Sequence, residues 1–298
     1  MVQAKNSSPA AFQQQSNLVL GAGLMTLAFF MNTVQGSIAK VVREEIGGPQ
    51  FALHIFSLAL LILLPVVAWR RGRDFKTEVL PLHLLRGAAG GSGFLLFFSS
   101  VQLVELVNAT VVLNTTPILI PLIAWVALGQ DISQELWAAI AIGFVGLLVV
   151  VQPDASLFSE PGILLALAAA IAAAVEFLTV RRLNQSEPAL TQVLYYLTVG
   201  MVLAFVVSVW NLRMPSTTTW LWLGGAAIAI LSIQFALIRA FAYAEPHQVG
   251  VFQYTSVVFS AIIGWAFFNE TPGWLVAVGI MLICVGGMTA VLLGDESE

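Results

Sequence analysis

Charged residues are scarce in this chain: Asp, Glu, Lys and Arg make up 9% of its 298 residues. A soluble domain carries about 25%, so a water-clothed globule is excluded. Hydrophobic side chains account for 59%, a composition suited to lipid as solvent. The net charge is −4, and no basic run is interleaved with aromatics, so nucleic acid is not an expected partner. Cysteine occurs once, as Cys284 in the last apolar stretch, which excludes a disulfide within the chain. The three histidines, His54, His83 and His247, fall in different segments, so no metal site, resident cofactor or catalytic cluster is expected. That scatter also argues against a membrane-embedded enzyme acting on lipid, which needs clustered His, Asp or Glu at one interface. No Gly-rich phosphate loop followed by Lys and Ser or Thr occurs. Direct drive by ATP is thereby excluded.

What the chain does have is a series of long apolar stretches. A helix needs about 20 such residues to cross the hydrocarbon core. Ten stretches come close: 17–39, 50–69, 79–101, 105–127, 134–152, 161–182, 189–210, 218–241, 246–268 and 272–292. They are numbered segments 1 to 10 below. Short breaks such as Gly47-Gly48-Pro49 and Gln152-Pro153-Asp154 separate them and leave no room for a soluble domain. The reading is an all-α integral membrane protein with ten transmembrane helices. A polar tail (1–16) precedes segment 1 and an acidic tail (294–298) follows segment 10. The first tail is not followed by a short apolar stretch with a small-residue cleavage site, so segment 1 is expected to stay as an anchor.

Lys and Arg set the expected orientation in a cell (inner) membrane. With the N-terminus in the cytoplasm, Lys5, Arg70, Arg71, Arg73, Lys76, Arg86, Arg181, Arg182 and Arg239 fall inside. Only Lys40, Arg43 and Arg213 fall outside. Both termini are therefore expected in the cytoplasm. On that placement Trp69, Trp125 and Trp137 sit at inner helix ends, and Trp210, Trp220, Trp222, Trp265 and Trp274 at outer ends. An indole at the headgroup level finds both apolar contact and a hydrogen-bond partner, so these read as anchors rather than substrate platforms.

The chain also overlays on itself at a shift of about 140 residues. Glu105 then falls on Glu245, Val111 on Val251, Thr115 on Thr255 and Trp125 on Trp265. Ile140, Val145, Gly146 and Val151 fall on Ile280, Val285, Gly286 and Val291. Each half holds five segments, and an odd number forces the second half in upside down. Such inverted repeats build a midplane site that can open to either side. The expected divisions are 17–155 for the first repeat and 156–293 for the second.

At this point the sequence resembles the ten-helix branch of the drug/metabolite transporter superfamily, whose paired repeats are called EamA-like. The resemblance runs over nearly the whole chain. It is clearest from Leu84-Leu85-Arg86-Gly87 through Phe94-Leu95-Leu96-Phe97-Phe98, Asn108-Ala109-Thr110, Asn114-Thr115-Thr116-Pro117-Ile118 and Gly143-Phe144-Val145-Gly146-Leu147. The second copy reads Pro246-His247-Gln248-Val249-Gly250, Gln253-Tyr254-Thr255-Ser256 and Asn269-Glu270-Thr271-Pro272. The family's Gly-Glu pair near the inner end of segment 4 is Gly129-Gln130 here, whereas the matching place keeps Glu270. The resemblance implies a cavity surrounded by segments 1, 3, 4, 6, 8 and 9, with 5 and 10 peripheral. It further implies a small-molecule substrate and, by likeness to members that export amino acids, amino-acid export. Uptake of a larger solute such as S-adenosylmethionine or riboflavin stands as the alternative.

Polar groups at depth in a bilayer need a reason, since an acid at a helix centre costs about 2.5–3.5 kcal/mol on insertion scales. Glu176 is the one carboxylate well inside a segment. It either faces a cavity, holding an amine or carrying a proton, or snorkels toward Arg181 and Arg182. Its mate on the overlay is Gln35, which follows Asn32 in Asn32-Thr33-Val34-Gln35, and all three are expected to line the cavity. In segment 4, Asn108 and Thr115 share a face, with Asn114 and Thr116 beside them. Pro117 and Pro121 then free backbone carbonyls and mark a hinge. Tyr254 matches Asn114 and lies seven residues after His247. Asn114, Thr115 and Tyr254 are expected at the substrate cavity, with Gln234 and Arg239 in its inner half. His54 reads as a hydrogen-bonded packing residue, and Glu105 and Glu245 as acids satisfied by helix N-termini. Gly87, Gly90, Gly91 and Gly93, with Gly224 and Gly225, are expected to allow close helix approach, and segment pairs 3–4 and 8–9 to move as hairpins. No Lys or Arg is expected at the midplane, which disfavours phosphorylated solutes. Monomer and homodimer both remain open.

Overall fold

The computed structural model describes residues 18–70, 72, 75–128, 134–151, 160–243, 251–270 and 273–293. Both tails, Arg71, Arg73, Gly129, Gln130, Pro153, Glu245, His247 and Pro272 lie outside the described residues.

Each expected segment is helical. Segments 1 to 3 are Leu18–Val41, Gly48–Trp69 and Leu80–Leu103. Segment 4 is split into Leu106–Leu113 and Thr116–Leu128, and segment 5 is Gln134–Val151. Segments 6 to 8 are Pro161–Leu183, Ala189–Ser208 and Thr217–Tyr243. Segment 9 opens as a 3-10 turn, Val251–Tyr254, and continues as Thr255–Phe268; segment 10 is Trp274–Leu293. Six of these helices (segments 1, 2, 3, 6, 7 and 8) are long and apolar enough to cross a membrane on their own. Proline begins several of them: segments 2, 3 and 6 each carry one in the first turn, where its missing N–H has no helical partner to lose.

The break in segment 4 falls at Asn114–Thr115, just ahead of Thr116-Pro117. Pro117 has no N–H for the helical ladder, so the turn before it closes by shorter bonds, Thr115 N–H to Val112 O and Ile118 N–H to Thr115 O. Segment 9 changes from 3-10 to α geometry at Tyr254–Thr255, the pair that overlays Asn114–Thr115. Both repeats therefore interrupt the same helix at the same place, without a proline in the second.

Hydrogen bonds between segments identify the two ends of the bundle. At one, Ser100 Oγ donates to Gly162 O, Arg213 N–H to Gln50 and Ser216 to Glu45. At the other, Tyr195 Oη donates to Phe75 O and Asn184 Nδ2 to Ile238 O. These are called the Lys40 end and the Phe75 end. Segment 1 runs toward the Lys40 end, whereas segment 6 starts there, so the two repeats are antiparallel. Packing follows the same symmetry. Segment 3 packs on 6 as 8 packs on 1; 3 packs on 7 as 8 packs on 2; segments 2 and 7, 4 and 9, and 5 and 10 meet across the axis.

Between lipid-embedded helices close contact must supply what the hydrophobic effect supplies in water. At Gly91 two backbones meet: a Cβ there would stand 2.8 Å from the Gly200 Cα of segment 7. Gly87 faces Val199 of the same helix. Gly224 and Gly225 have open space where a Cβ would point, so the expected close contact at those two is not formed. Among the six glycines singled out in the sequence, those that make close joints are on segment 3 and face segments 6 and 7.

Candidate functional site: a central cavity and a charged latch

A cavity of about 90 Å³ lies where the repeats meet. Its apolar wall includes Phe29, Phe94, Phe97, Phe98 and Phe177, and its polar wall is Asn32, Gln35, Glu176, Tyr196 and Gln234. That volume admits a few waters; a metabolite requires the walls to move. Among the described residues, segments 1, 3, 6 and 8 line it, segment 4 contributes Leu113 alone, segment 9 contributes none, and segment 7 supplies Tyr196.

Glycine makes the room for the acid. A Cβ on residue 90 would stand 2.6 Å from Glu176 Cδ and 2.5 Å from Tyr196 Cε2, so only Gly90 lets that carboxyl rest against segment 3. Glu176 Oε1 accepts from Gln234 Nε2 at 3.5 Å, and Gln234 Oε1 accepts from Arg86 Nη2 at 2.7 Å. Arg86 Nη2 is itself 4.0 Å from Glu176 Oε1, and the guanidinium carbon lies 5.5 Å from the Tyr196 ring centre. Glu176 thus turns toward Arg86 and Gln234 in the bundle interior. Gln35 donates from Nε2 to Ala226 O at 2.8 Å, which leaves its Oε1 without a partner among the described residues.

Arg86, read from the sequence as a charge at an inner helix end, is buried between segments 3, 6 and 8. It is 1% exposed and is the bulkiest of the fully buried side chains. Its position near the start of segment 3 made it look like an interfacial charge. Only the fold, which brings segments 6 and 8 against that turn, turns it inward.

Asn114, Thr115 and Tyr254, expected at the cavity, are buried and are not among the residues that line it in this state. Asn114 Nδ2 bonds Ser256 Oγ at 2.9 Å and Thr110 O at 2.7 Å, tying segment 4 to segment 9. Thr115 Oγ1 returns to Val112 O at 2.8 Å, satisfying the broken helix. Tyr254 packs among Val107, Val111, Val112, Ala166 and Val257, and its hydroxyl has no hydrogen-bond partner among the described residues. The break twists these residues into the contact between segments 4, 6 and 9. His54 Nδ1 lies 2.7 Å from Gln50 O and its ring meets Trp220 edge-on, a packing arrangement. His83, by contrast, lies 3.3 Å from Glu187 and stacks on Tyr195 near the Phe75 end. Among the described residues, no group of His, Cys, Asp or Glu could hold a metal ion.

A second opening, about 810 Å³, lies at the Lys40 end and is lined by Lys40, Arg43, Glu44, Glu105, Glu160 and Glu270 among others. The Lys40–Glu270 pair in its lining is called the latch. Lys40 pairs with Glu270 and also donates to Val104 O at 3.0 Å, while Glu270 Oε2 accepts from the Leu106 N–H at 3.1 Å. Both side chains are 8% exposed. One carboxylate therefore joins segment 1, the start of segment 4 and the end of segment 9. Asn269 aims it by taking a left-handed turn (φ 55°), which carries the Glu270 N–H back to Gly264 O. Below the latch, Gly36 receives Leu106; a Cβ there would stand 2.9 Å from Leu106 Cδ1.

The EamA-like transporter family model matches residues 19–152 and again 160–292. The chain belongs to the EamA-like transporter family. It is a multi-pass membrane transporter of small metabolites, not an enzyme. The chain is 26% identical over 272 residues to the pseudopaline exporter of Pseudomonas aeruginosa, covering 89% of this chain and 93% of that one. It is 26% identical over 262 residues to the S-adenosylmethionine uptake transporter of Rickettsia prowazekii, covering 86% and 88%. The riboflavin transporter of Vibrio cholerae is 26% identical over 270 residues, covering 88% and 90%. A solved crystal structure superposes with a TM-score of 0.66 at 18% identity, over 93% of this chain and 98% of the other, a likeness of fold.

Proposed function

We propose that this EamA-like protein is a secondary transporter that exports amino acids with neutral or aromatic side chains by alternating access. The observation that carries the reading is the central cavity, where an acid and three amides face a wall of phenylalanines between two inverted repeats. Amides and one carboxylate match an ammonium and a carboxylate, and the phenyl rings match an apolar side chain. The Lys40 end faces outward and both termini lie in the cytoplasm, as the Lys and Arg distribution supports. In this state the Lys40–Glu270 latch closes the outward path; opening that path requires the pair to separate. Substrate contacts are assigned to Asn32, Gln35, Glu176 and Gln234. If flux is coupled to protons, Glu176 carries them.

Named relatives favour a second reading. One is a pseudopaline exporter, one an S-adenosylmethionine uptake transporter and one a riboflavin transporter, and S-adenosylmethionine and riboflavin are larger than a simple amino acid. The methionine part of S-adenosylmethionine does present an ammonium and a carboxylate together. Purified protein in proteoliposomes, given radiolabelled phenylalanine, leucine, S-adenosylmethionine and riboflavin in turn, separates the two. Saturable flux of phenylalanine or leucine is expected. Flux of riboflavin or S-adenosylmethionine alone would replace the amino-acid reading with the second. Glu176→Gln is expected to abolish any pH dependence; wild-type rates that do not vary with pH remove Glu176 from proton coupling.

A further inference from the structure

Arg86 is a charge buried inside the bundle and only partly neutralised there. A buried guanidinium presents five N–H donors in a fixed fork. Here Nη2 donates to Gln234, while Nε and Nη1 have no hydrogen-bond partner among the described residues. The nearest carboxylate oxygen, on Glu176, is 4.0 Å away, at the outer limit of an ion pair. Gln234 bridges the two, and its own bond to Glu176 is long at 3.5 Å. On the opposite wall, Gln35 Oε1 is a buried acceptor with no partner among the described residues. Unused donors therefore surround the cation, and an unused acceptor belongs to the lining of the same cavity as the anion.

We infer that Arg86 and Glu176 form a clamp for a zwitterion, in which Arg86 takes the substrate carboxylate and Glu176, with Gln35, takes its ammonium. The inference rests on the amino-acid reading of the central cavity. Arg86 stands one layer behind the wall, so Gln234 must swing its amide aside to admit the carboxylate. That rotation gives up the long Gln234–Glu176 contact and the 2.7 Å bond from Arg86, and a carboxylate replaces the latter by meeting the fork with two parallel bonds. Charge balance gives the clamp its selectivity. The pair is neutral as a whole, and a zwitterion leaves it neutral. An amine or an acid alone would add a net charge to a site with few other polar groups, and unpaired buried charge is strongly disfavoured.

The test is counterflow of radiolabelled phenylalanine in proteoliposomes, competed by unlabelled phenylalanine, 2-phenylethylamine and 3-phenylpropionate. Wild type is expected to bind phenylalanine at least about tenfold more tightly than either half-molecule, the size of one lost charged hydrogen bond. Arg86→Gln should raise the half-saturation for phenylalanine by about tenfold or more and lose discrimination against 2-phenylethylamine, and Arg86→Lys should keep part of it. Should Arg86→Gln fail to fold, the wild-type comparison decides alone. Phenylalanine exchange with equal competition by 2-phenylethylamine overturns the clamp and leaves amino-acid transport standing. Absence of phenylalanine exchange overturns amino-acid transport and the clamp together.

Discussion

Replacing Glu270 by glutamine keeps an oxygen for the Leu106 N–H but removes the charge that holds Lys40. In the structure Lys40 would be left with Val104 O and the face of the Phe268 ring, in a site 8% open to solvent. A hydrogen bond to a charged partner contributes about 1.5–3 kcal/mol, and the partial opening to the funnel puts the loss toward the lower figure. At that lower figure the balance between latched and unlatched states changes by about 10-fold. The funnel should therefore widen. Spin labels at Glu44 and Glu160, both funnel-lining residues, report it by dipolar distance measurement. Cys284 is the one native cysteine, so Cys284→Ala supplies a clean background. Wild type is expected to show mainly the short distance and Glu270→Gln a majority of a longer one. Exchanging the charges, Lys40→Glu with Glu270→Lys, should restore the short distance. An unchanged distribution in Glu270→Gln would refute the latch.

Three further outcomes follow from local geometry. Gly91→Leu drives a side chain into the Gly200 backbone and should cost about 1–3 kcal/mol, read as a lower melting temperature in detergent, whereas Gly224→Ala, in open space, should not lower it. Tyr254→Phe removes a hydroxyl that bonds no described residue and is expected to leave both melting and flux unchanged, while Asn114→Ala cuts the tie to Ser256 and should destabilise by about 1–3 kcal/mol. Glu45 accepts from the Ser216 N–H and hydroxyl, each at 2.9 Å, and these bonds hold its carboxyl below the ordinary value of 4.5. A lowered folded value means the bond stabilises above the ordinary value and is lost as pH falls through the folded one. Acid should therefore loosen the contact between the loop after segment 1 and the start of segment 8, and Ser216→Ala should flatten that acid limb of the melting curve.

How far the sequence could be read depended on whether a residue's role was local. Segment ends came within a few residues, because twenty apolar residues between turn signals mean the same thing anywhere in a bilayer. The Thr116-Pro117 break was also legible, since proline removes a donor wherever it stands. Asn32, Gln35, Glu176 and Gln234 could be picked out because a polar group costs energy inside an apolar stretch. Lys40, Arg86 and Glu270 were harder: charges near segment ends resemble ordinary interfacial charges, and nothing along the chain links residue 40 to residue 270. Asn114 and Tyr254 were placed on the cavity because they match in the overlay. They do share an equivalent place, but it is the interrupted turn of segments 4 and 9, and the twist there decides where each side chain points.

Access to the central cavity from both sides is the claim everything else relies on. Ala173 lines that cavity, and Ala173→Cys in a Cys284→Ala background offers a single thiol there. In sided membrane vesicles with a membrane-impermeant maleimide, labelling is expected from either face, with Glu270→Gln accelerating it from the Lys40 side alone. Labelling confined to one face, in both proteins and with solute present or absent, would contradict the account.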